Sequence, residues 1–544
     1  MNREYFLTSY FHCFLMIVLL SCKSSDRMEK TAALLPLVPQ PNNITVYEGI
    51  FTIDSLTGIE ISSEEQKKVA AWFSTELKAS YGWSCQIGIS LKDQNVIVLE
   101  RDESLGDEAY LLDITGKKIS IKASSEAGYF YAFQTILQLI PLAEEKSTVP
   151  SLEIPQVTIQ DQPRFTWRGV LLDIARHYLG PSSIKKLIDQ MAAQKLNRLH
   201  LHLTDDQGWR IEISEYPKLH EIGSLGNYSN PEGQAYYLTE EEARDITAYA
   251  NERQIVMVPE IEMPGHSGAI GKAYPAFDGG NNTLNIANDD AIKMHETVIL
   301  KVSDIFNTKY IHFGSDEVRE HDWENRPEMR AKMVKLGLEN QKEFEGWFDR
   351  KMADFIVTSG LRPIAWDEAS GFGININTIV QWWRCMQPET LDSAAHRGYD
   401  IIISPADHTY LDYPYILEEA GARWEGLHNG GNSTELIYKW NPIPETFNHT
   451  LEEQVLGIEA AVWTEFIGYQ ERLEYMIFPR LSAVAETAWT NTENKDWESF
   501  QIRLSTQLLR YENDGINFRI PDISIEKRKE LQPEAFDGPL PIDQ

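Results

Sequence analysis

Short apolar runs and longer amphipathic segments alternate along residues 169–463, and most of the runs end in polar or aromatic residues. Such continuous apolar runs are typical of strands that are buried on both faces, as in parallel sheets. Helical patterns lie between most of them, including residues 183–195, 240–252, 289–305 and 340–358. The eight predicted strands are Gly169 to Ile174, Arg198 to Leu203, Ile255 to Glu262, Tyr310 to Phe313, Pro363 to Trp366, Thr378 to Trp383, Ile401 to Ser404, and Val455 to Trp463.

Eight strand-then-helix units over roughly 350 residues fit an α/β fold, the (β/α)8 or TIM barrel, with insertions. The alternative is an open, doubly wound sheet, which would bind its ligand at a topological switch point. No Gly-rich phosphate-binding fingerprint follows the first strand, and eight units exceed what such a sheet usually needs. The pattern therefore favours the barrel, whose active site lies at the carboxyl ends of its strands.

A different pattern precedes the barrel. Residues 35–158 combine short strand-like runs with one apolar helical stretch at 128–140, which predicts a small α+β domain. The sequence Asp161-Gln162-Pro163-Arg164 breaks this pattern. We assign residues 159–510 to the barrel and 511–544 to a C-terminal extension. The predicted strands of the small domain are Ile59 to Ile61, Asn95 to Leu99, Ala109 to Ile114 and Lys118 to Ala123.

Composition narrows the choice of partner. The 544-residue chain is 42% hydrophobic, which is enough for large buried cores. Its formal net charge of -32 disfavours binding to the phosphate backbone of a nucleic acid. A solvated acidic surface explains the same charge, so no substrate follows from it.

The N-terminus predicts export. Residues 11–20 form an apolar run that is too short to span a bilayer and suits the core of a signal peptide. The sequence Leu19-Leu20-Ser21-Cys22 resembles the lipobox of bacterial lipoproteins, in which cleavage precedes acylation of the cysteine. We therefore expect a signal peptide over 1–21, lipidation at Cys22, a tether over 22–34, and a chain anchored in the bacterial cell envelope, at the outer membrane or in the periplasm. Cys85 and Cys385 then remain, far apart in sequence, and predict neither a disulfide framework nor a cysteine-based metal site.

The residues at the predicted strand ends suit a sugar. Aromatic rings cover the C–H faces of a pyranose, while charged groups bind its hydroxyls. A metal centre is disfavoured, since neither the helical His spacing of zinc proteases nor an EF-hand loop is present, and no Gly-x-Ser-x-Gly elbow indicates a serine hydrolase. Tryptophans as core filler and His200 and His202 as structural histidines remain open alternatives.

The most informative strand end is Asp316-Glu317, two adjacent carboxylates after an apolar run. An ordinary retaining glycosidase holds its acid and its nucleophile about 5 to 5.5 Å apart across the scissile bond. Neighbouring strand residues point in opposite directions, so this pair is poorly placed for that scheme. The two acids need another division of labour.

From about residue 38 to residue 489 the chain resembles glycoside hydrolase family 20, the β-N-acetylhexosaminidases. The motifs that carry the resemblance are Arg168-Gly169 with Leu172-Asp173 and Arg176-His177, His200 to Leu203 with Asp205 to Trp209, Glu260 to His266, His312 to Val318, Trp366-Asp367-Glu368, Tyr410-Leu411-Asp412, and Trp463-Thr464-Glu465.

This resemblance implies substrate-assisted catalysis, which is one of the known exceptions to the two-carboxylate scheme. The acetamide carbonyl of the substrate would then be the nucleophile, with Glu317 as the acid and base and Asp316 orienting the acetamide. No cofactor or metal is implied. The other roles that it implies are acetamide binding by Tyr410, Trp366, Trp383 and Trp463, support of Glu317 by Asp205 and His266, and binding of sugar hydroxyls by Arg168, Asp412 and Glu465.

One departure from the family pattern is visible. Gly-Gly often precedes the acid pair in the family, and Gly314-Ser315 stands here, which we expect to preserve activity with less backbone freedom. The leading hypothesis is an exo-acting β-N-acetylhexosaminidase of glycans. The alternatives are release of a disaccharide, as by a lacto-N-biosidase, release of a sulfated sugar, or a glycan-binding protein that lacks turnover.

Overall fold

The computed structural model of the protein describes residues 34–89, 91, 95–142, 149–424 and 426–536. The predicted signal peptide, the predicted lipidation site Cys22 and the last eight residues lie outside the described residues. None of the helices within the described ranges is both long and apolar enough to cross a membrane.

The small N-terminal domain is a seven-stranded mixed sheet with two helices. The sheet order is β1-β7-β5-β6-β4-β2-β3. Its helices are α1 (Glu64–Tyr81), capped by Ser63, and α2 (Glu126–Leu139), capped by Ser125. The strands are β1 (Asn43–Asp54), β2 (Gly58–Glu60), β3 (Gln86–Gly88), β4 (Val96–Arg101), β5 (Tyr110–Ile114), β6 (Lys118–Ala123) and β7 (Ser151–Asp161).

The α+β prediction is confirmed for this domain, but the sequence pattern missed β1, β3, β7 and α1. β1 is half-exposed along much of its length, so it lacks the continuous apolar run that marks a buried strand. β7 runs to Asp161, three residues past the predicted domain boundary at residue 158.

The second domain is a closed barrel of eight parallel strands in the order β12-β15-β16-β17-β18-β19-β8-β9. All eight predicted strands are present, which confirms the predicted fold class. The remaining strands of the chain are β8 (Trp167–Asp173), β9 (Arg198–His202), β10 (Thr204–Asp205), β11 (Gly208–Trp209), β12 (Val256–Met263), β13 (Asp278–Gly280), β14 (Thr283–Leu284), β15 (Tyr310–Gly314), β16 (Arg362–Trp366), β17 (Ile379–Trp382), β18 (Asp400–Ile403) and β19 (Val455–Val462); β10 with β11 and β13 with β14 form two small antiparallel ribbons outside the barrel.

Helices cover the outside of the barrel. The four predicted ones are present as α3 (Pro181–Ala193), α5 (Glu240–Asn251), α7 (Asp289–Ile305) and α9 (Gln341–Thr358), and α5 begins with a capping box between Thr239 and Glu242. The others are α4 (Lys218–Glu221), α6 (Gly268–Ala273), α8 (Pro327–Leu336), α10 (Pro388–His396), α11 (Ala406–Thr409), α12 (Thr434–Lys439), α13 (His449–Glu452), α14 (Gln470–Ile477), α15 (Arg480–Trp489), α16 (Trp497–Asn513) and α17 (Ile525–Leu531), with single 3-10 turns at Pro275–Phe277, Glu320–Asn325, Asp367–Phe372, Thr492–Asn494 and Pro533–Ala535.

Candidate active site

The acid pair lies on a tight turn at the carboxyl end of β15. Gly314, Ser315 and Glu317 all have positive φ angles, of 69°, 72° and 47°. A Cβ atom on Gly314 would lie 1.9 Å from Oε2 of Glu262, so only glycine fits there. Ser315 tolerates the left-handed conformation, and its hydroxyl donates a hydrogen bond of 2.6 Å to Asp349 on α9. The departure from Gly-Gly is thus accommodated by a local hydrogen bond.

This turn places the two acids in different surroundings. The side chain of Asp316 is 12% exposed, whereas that of Glu317 is 52% exposed. Both line a cavity of about 700 Å³ at the carboxyl ends of the strands. That volume lies within the usual range of ligand pockets, roughly 300–1,000 Å³. Adjacency in sequence therefore does not give the acids equal access to solvent.

His266 connects the acid pair to the rest of the site. It follows β12 in a turn with a φ of 44°. Its Nε2 atom lies 3.5 Å from Oδ2 of Asp316 and 3.6 Å from Oε2 of Glu317, and its Nδ1 atom lies 3.3 Å from Oδ1 of Asp205. Asp205 in turn contacts Nη2 of Arg176 at 2.7 Å. Charges of alternating sign therefore run from Arg176 to the acid pair.

The pKa shifts of His266 and Asp205 follow from the charges of their neighbours. Burial opposes the charge on His266, but the carboxylates of Asp205 and Asp316 outweigh it and raise the His266 pKa well above its usual range. Burial also opposes the charge on Asp205, but Arg176 and His266 hold its pKa well below the usual range. A cationic His266 beside the acid pair is the result.

An aromatic wall faces the acids. The rings of Trp383 and Tyr410 are parallel with centroids 6.3 Å apart, and the Trp463 ring lies 6.1 Å from Tyr410 and 6.0 Å from Trp366. Tyr410 is held in place because the neighbouring Leu411 N–H donates to Ala461 on β19. Burial raises the Tyr410 pKa well above its usual range, with Tyr413, Asp412 and Asp316 contributing. All four rings line the cavity.

Arg176 and Glu465 form the other end of the site. Asp173 at the end of β8 accepts hydrogen bonds from the N–H groups of Ala175 and Arg176, which turns the Arg176 side chain into the cavity. Arg176 lies 3.7 Å from Glu465 and stacks on Trp463 at 5.1 Å. Asp412 is buried beside Glu465 and does not line the cavity.

Carboxylates crowd this end of the site. Burial raises the Asp412 pKa well above its usual range, and Glu465 adds to the shift. Among the described residues, no other residue hydrogen-bonds to the Asp412 carboxylate oxygens. The Asp412 oxygens are hydrogen-bond acceptors, but the residue lies outside the lining of the cavity.

The prediction that Arg168 binds the sugar is wrong. Arg168 lies at the start of β8, at the amino end of the barrel, and is 0% exposed. Its guanidinium makes two 2.8 Å hydrogen bonds to Glu108 of the small domain and donates to the Lys195 and Phe165 carbonyls and to Tyr131. All of its donors are used between the domains, and Arg176 is the arginine that reaches the site.

Loops supply cavity residues that the sequence reasoning missed. Tyr228 and Trp424 lie on long connections without regular periodicity, and both pack against Phe466. Arg176 belongs to a family motif, but no role was predicted for it. Glu368 and Arg384 also lie together in the cavity, with Trp383 Nε1 donating to Glu368 at 3.2 Å. The strand-end rule could have found Arg176, because it follows an apolar run, whereas Tyr228 and Trp424 carry no such signal.

A buried network of histidines and glutamates lies beneath the cavity. His200 and His202 share one face of β9, as predicted, and both point into the barrel. His200 contacts Glu459 at 2.8 Å and Glu260 at 3.2 Å, and His202 bonds to Glu260 and to Asp205. Burial opposes charging, but the glutamates outweigh it and raise the pKa of His200 to about 9 and that of His202 to about 10. These contacts support a structural role for His200 and His202.

A parallel barrel with two acids on one strand-end turn, facing an aromatic pocket, defines a barrel-type glycoside hydrolase. Residues 165–492 match glycosyl hydrolase family 20, catalytic domain, and residues 34–162 match glycosyl hydrolase family 20, domain 2. The chain therefore belongs to glycosyl hydrolase family 20, which confirms the predicted resemblance.

Characterised relatives agree. The chain is 34% identical over 505 residues to a beta-hexosaminidase of Porphyromonas gingivalis, covering 89% of this chain but only 64% of that relative. It is 35% identical over 481 residues to a beta-hexosaminidase of Vibrio furnissii, covering 84% and 76% of the two chains. Its fold matches the crystal structure of a GH20 exo beta-N-acetylglucosaminidase from Vibrio harveyi in complex with N-acetylglucosamine, with a TM-score of 0.82, 32% identity, and coverage of 91% of this chain and 80% of that one.

Proposed function

We propose that this protein is an exo-β-N-acetylhexosaminidase that removes terminal, non-reducing β-linked N-acetylglucosamine or N-acetylgalactosamine from glycans. The observation that carries the proposal is the unequal exposure of Asp316 and Glu317 on one turn that faces the aromatic wall. One acid is placed to hold a buried group, and the other to exchange protons at the open side. The beta-hexosaminidase relatives support the same activity.

The aromatic wall suits the flat acetamide group of the substrate. Trp366, Trp383 and Trp463 can enclose its methyl group, and the Tyr410 hydroxyl can donate to its carbonyl oxygen. Asp316 can accept the acetamide N–H, which directs the carbonyl oxygen to the anomeric carbon. These contacts pre-position the nucleophile that the reaction needs.

The reaction proceeds in two steps with net retention. The carbonyl oxygen of the acetamide forms a bond to the anomeric carbon while the glycosidic C–O bond breaks, and Glu317 donates its proton to the leaving oxygen. Asp316 stabilises the oxazolinium ion that results. Water then attacks the anomeric carbon, Glu317 takes its proton, and the acetamide is regenerated.

The Arg176 end of the pocket supports release of a single sugar. Arg176 and Glu465 can bind the hydroxyls of a terminal ring, with Asp412 behind Glu465. The carboxylates of Asp205, Asp206 and Glu465 would repel a sulfate group, so this end disfavours a sulfated sugar. The presence of both acids and Tyr410 argues against a binding protein without turnover.

A substrate panel tests the proposal. The purified protein is assayed on the chromogenic N-acetyl-β-glucosaminide, N-acetyl-β-galactosaminide and plain β-glucoside, with Glu317→Gln purified in parallel as the control for contaminating activity. We expect hydrolysis of the acetamido sugars only. Comparable hydrolysis of the plain glucoside would contradict substrate assistance, because that sugar has no acetamide.

We also propose that the protein is exported and anchored to the membrane through lipid on Cys22. The apolar run and the lipobox-like sequence at residues 19–22 support this proposal. Expression in a bacterium followed by membrane fractionation tests it. Cys22→Ala should move the protein to the soluble fraction, while Cys13→Ala, within the segment that cleavage would remove, should not. Membrane association that persists in Cys22→Ala would refute the anchor.

A further inference from the structure

A cluster of side chains that could bind a metal lies apart from Arg176, Asp205, His266 and the acid pair. Asp407 and His408 belong to the short helix α11, and His428 lies on the long segment that follows it. Nδ1 of His408 lies 2.8 Å from Oδ1 of Asp407, and Nε2 of His428 lies 3.9 Å from Oδ2 of the same carboxylate. One ligand atom from each residue lies within 4.8 Å of those of the other two.

An ordinary His–Asp pair explains only part of this cluster. Asp407 satisfies His408, whose ring also stacks on Trp440 with centroids 5.0 Å apart. Nε2 of His428, however, is shielded from solvent and has no hydrogen-bond partner within the described part of the chain. A shielded nitrogen without a partner costs free energy, so its direction towards the Asp407 carboxylate needs an explanation.

We propose that Asp407, His408 and His428 bind a divalent transition-metal ion of the Zn²⁺ type. Two imidazoles and one carboxylate suit zinc and its neighbours better than the oxygen-binding Ca²⁺ or Mg²⁺. Bonds of about 2.0–2.2 Å in a tetrahedral site place ligand atoms roughly 3.3 Å apart. The two histidine nitrogens lie 2.8 and 3.9 Å from the two oxygens of Asp407, so side-chain rotations are needed to close the site, and water takes the fourth position.

The ion would attach the long segment to the wall of the catalytic pocket. Ala406 and Leu427, the residues next to two of the ligands, pack in the same apolar cluster as Trp366, Tyr410 and Trp383. A metal that joins α11 to His428 therefore fixes Leu427 against this cluster. Its role is structural, and it departs from the prediction that the chain binds no metal. The proposal does not depend on the proposed activity.

Metal titration of the full-length protein, after removal of bound metal with a chelator, tests the site. Zn²⁺ binding is followed by calorimetry, and Co²⁺ binding by its visible absorption. We expect one equivalent to bind, and His428→Ala and Asp407→Asn each to weaken binding by at least about a hundredfold, since even groups behind the ligands cost 10- to 100-fold. His321→Ala is the matched control, because His321 is an exposed histidine beside Asp322 and belongs to none of the three-residue ligand clusters in the described part of the chain.

Thermal unfolding gives an independent readout. Zn²⁺ should raise the Tm of the wild type and of His321→Ala, but not that of His428→Ala. Circular dichroism of the stripped variants shows whether each one is folded, and the Asp407→Asn variant replaces any that is not. Absence of a bound equivalent in the wild type overturns the proposal. Binding that both variants leave unchanged also overturns it, since the ion would then sit elsewhere, for example at Asp205, Asp206 and His266.

Discussion

Arg168 of the first barrel strand and Glu108 of the small domain form a two-pronged ion pair, with both N–O distances at 2.8 Å. The arginine is fully buried, and the Glu108 side chain is 19% exposed. Burial opposes the charge on both groups, but their mutual attraction dominates, lowering the Glu108 pKa and raising the Arg168 pKa. The pair therefore holds the small domain against the amino end of the barrel.

Loss of this pair should destabilise the protein. Removing one partner of a buried pair leaves the other charge uncompensated, at a cost of about 3–5 kcal/mol. We expect Glu108→Ala to lower the free energy of unfolding in urea by that amount. Arg101→Ala, which removes exposed pairs with Glu65 and Glu103 in the same domain, should cost under about 1 kcal/mol. Equal losses would show that the Arg168 pair contributes no more than a surface contact.

Substitution of Arg176 should affect substrate binding, whereas substitution of Arg168 should affect stability. Lysine keeps the charge but loses the planar fork of donors. Arg176→Lys should therefore raise KM for the acetamido substrate about 10- to 100-fold, which corresponds to the 1.5–3 kcal/mol of a charged hydrogen bond. Arg168→Lys should lower the Tm and leave KM unchanged. An increase in KM for Arg168→Lys alone would restore the original prediction for that residue.

The pattern of apolar runs was sufficient to predict the barrel, but it was not used to place Arg168 and Arg176 at the correct ends of the strand. The barrel strands are almost entirely buried, so apart from a few inward-pointing polar residues such as His200 and Glu459 their sequences are apolar and easily recognised. Arg168 comes before its apolar run and Arg176 follows it, and the direction of the strand alone assigns them to opposite ends. The family motif contains both arginines and does not by itself distinguish them.

Other site residues could not be predicted, for physical reasons. Tyr228 and Trp424 reach the cavity from long loops whose path depends on tertiary packing against Phe466. The different exposure of Asp316 and Glu317 depends on positive φ angles, which the strand pattern does not reveal. The acids themselves were predictable, because a buried strand rarely ends in two carboxylates without a function.

Glu317→Gln should discriminate between leaving groups. The variant cannot donate a proton, so substrates with a poor leaving group, such as a disaccharide, should lose at least about a hundredfold in kcat/KM. A dinitrophenyl glycoside, which needs no proton, should lose far less. Glu324→Gln, an exposed neighbour, should retain full activity on both. Equal losses on both substrates would assign the acid role to another residue.

The buried histidines should make stability fall at alkaline pH. The pKa of His200 is about 9 in the folded protein, against about 6.5 in the unfolded chain. A raised folded pKa gives a stabilisation that is complete below pH 6.5 and is lost as the pH rises through 9. At about 1.4 kcal/mol per pH unit, the loss is about 3 kcal/mol.

Urea unfolding from pH 6 to pH 10 measures this contribution. The free energy of unfolding should fall with pH more steeply in the wild type than in His200→Asn. His321→Asn removes an exposed histidine and should keep the wild-type slope. Identical slopes in all three proteins would show that His200 is not charged in the folded state.

The half-exposed side chain of Glu317 determines what can complete the reaction. The leaving alcohol departs past this carboxylate, and the nucleophile that replaces it must enter by the same open side. Nothing in that arrangement requires the nucleophile to be water. At high concentrations of a sugar acceptor, the enzyme should therefore make new glycosidic bonds by transglycosylation, with the β configuration of the donor preserved.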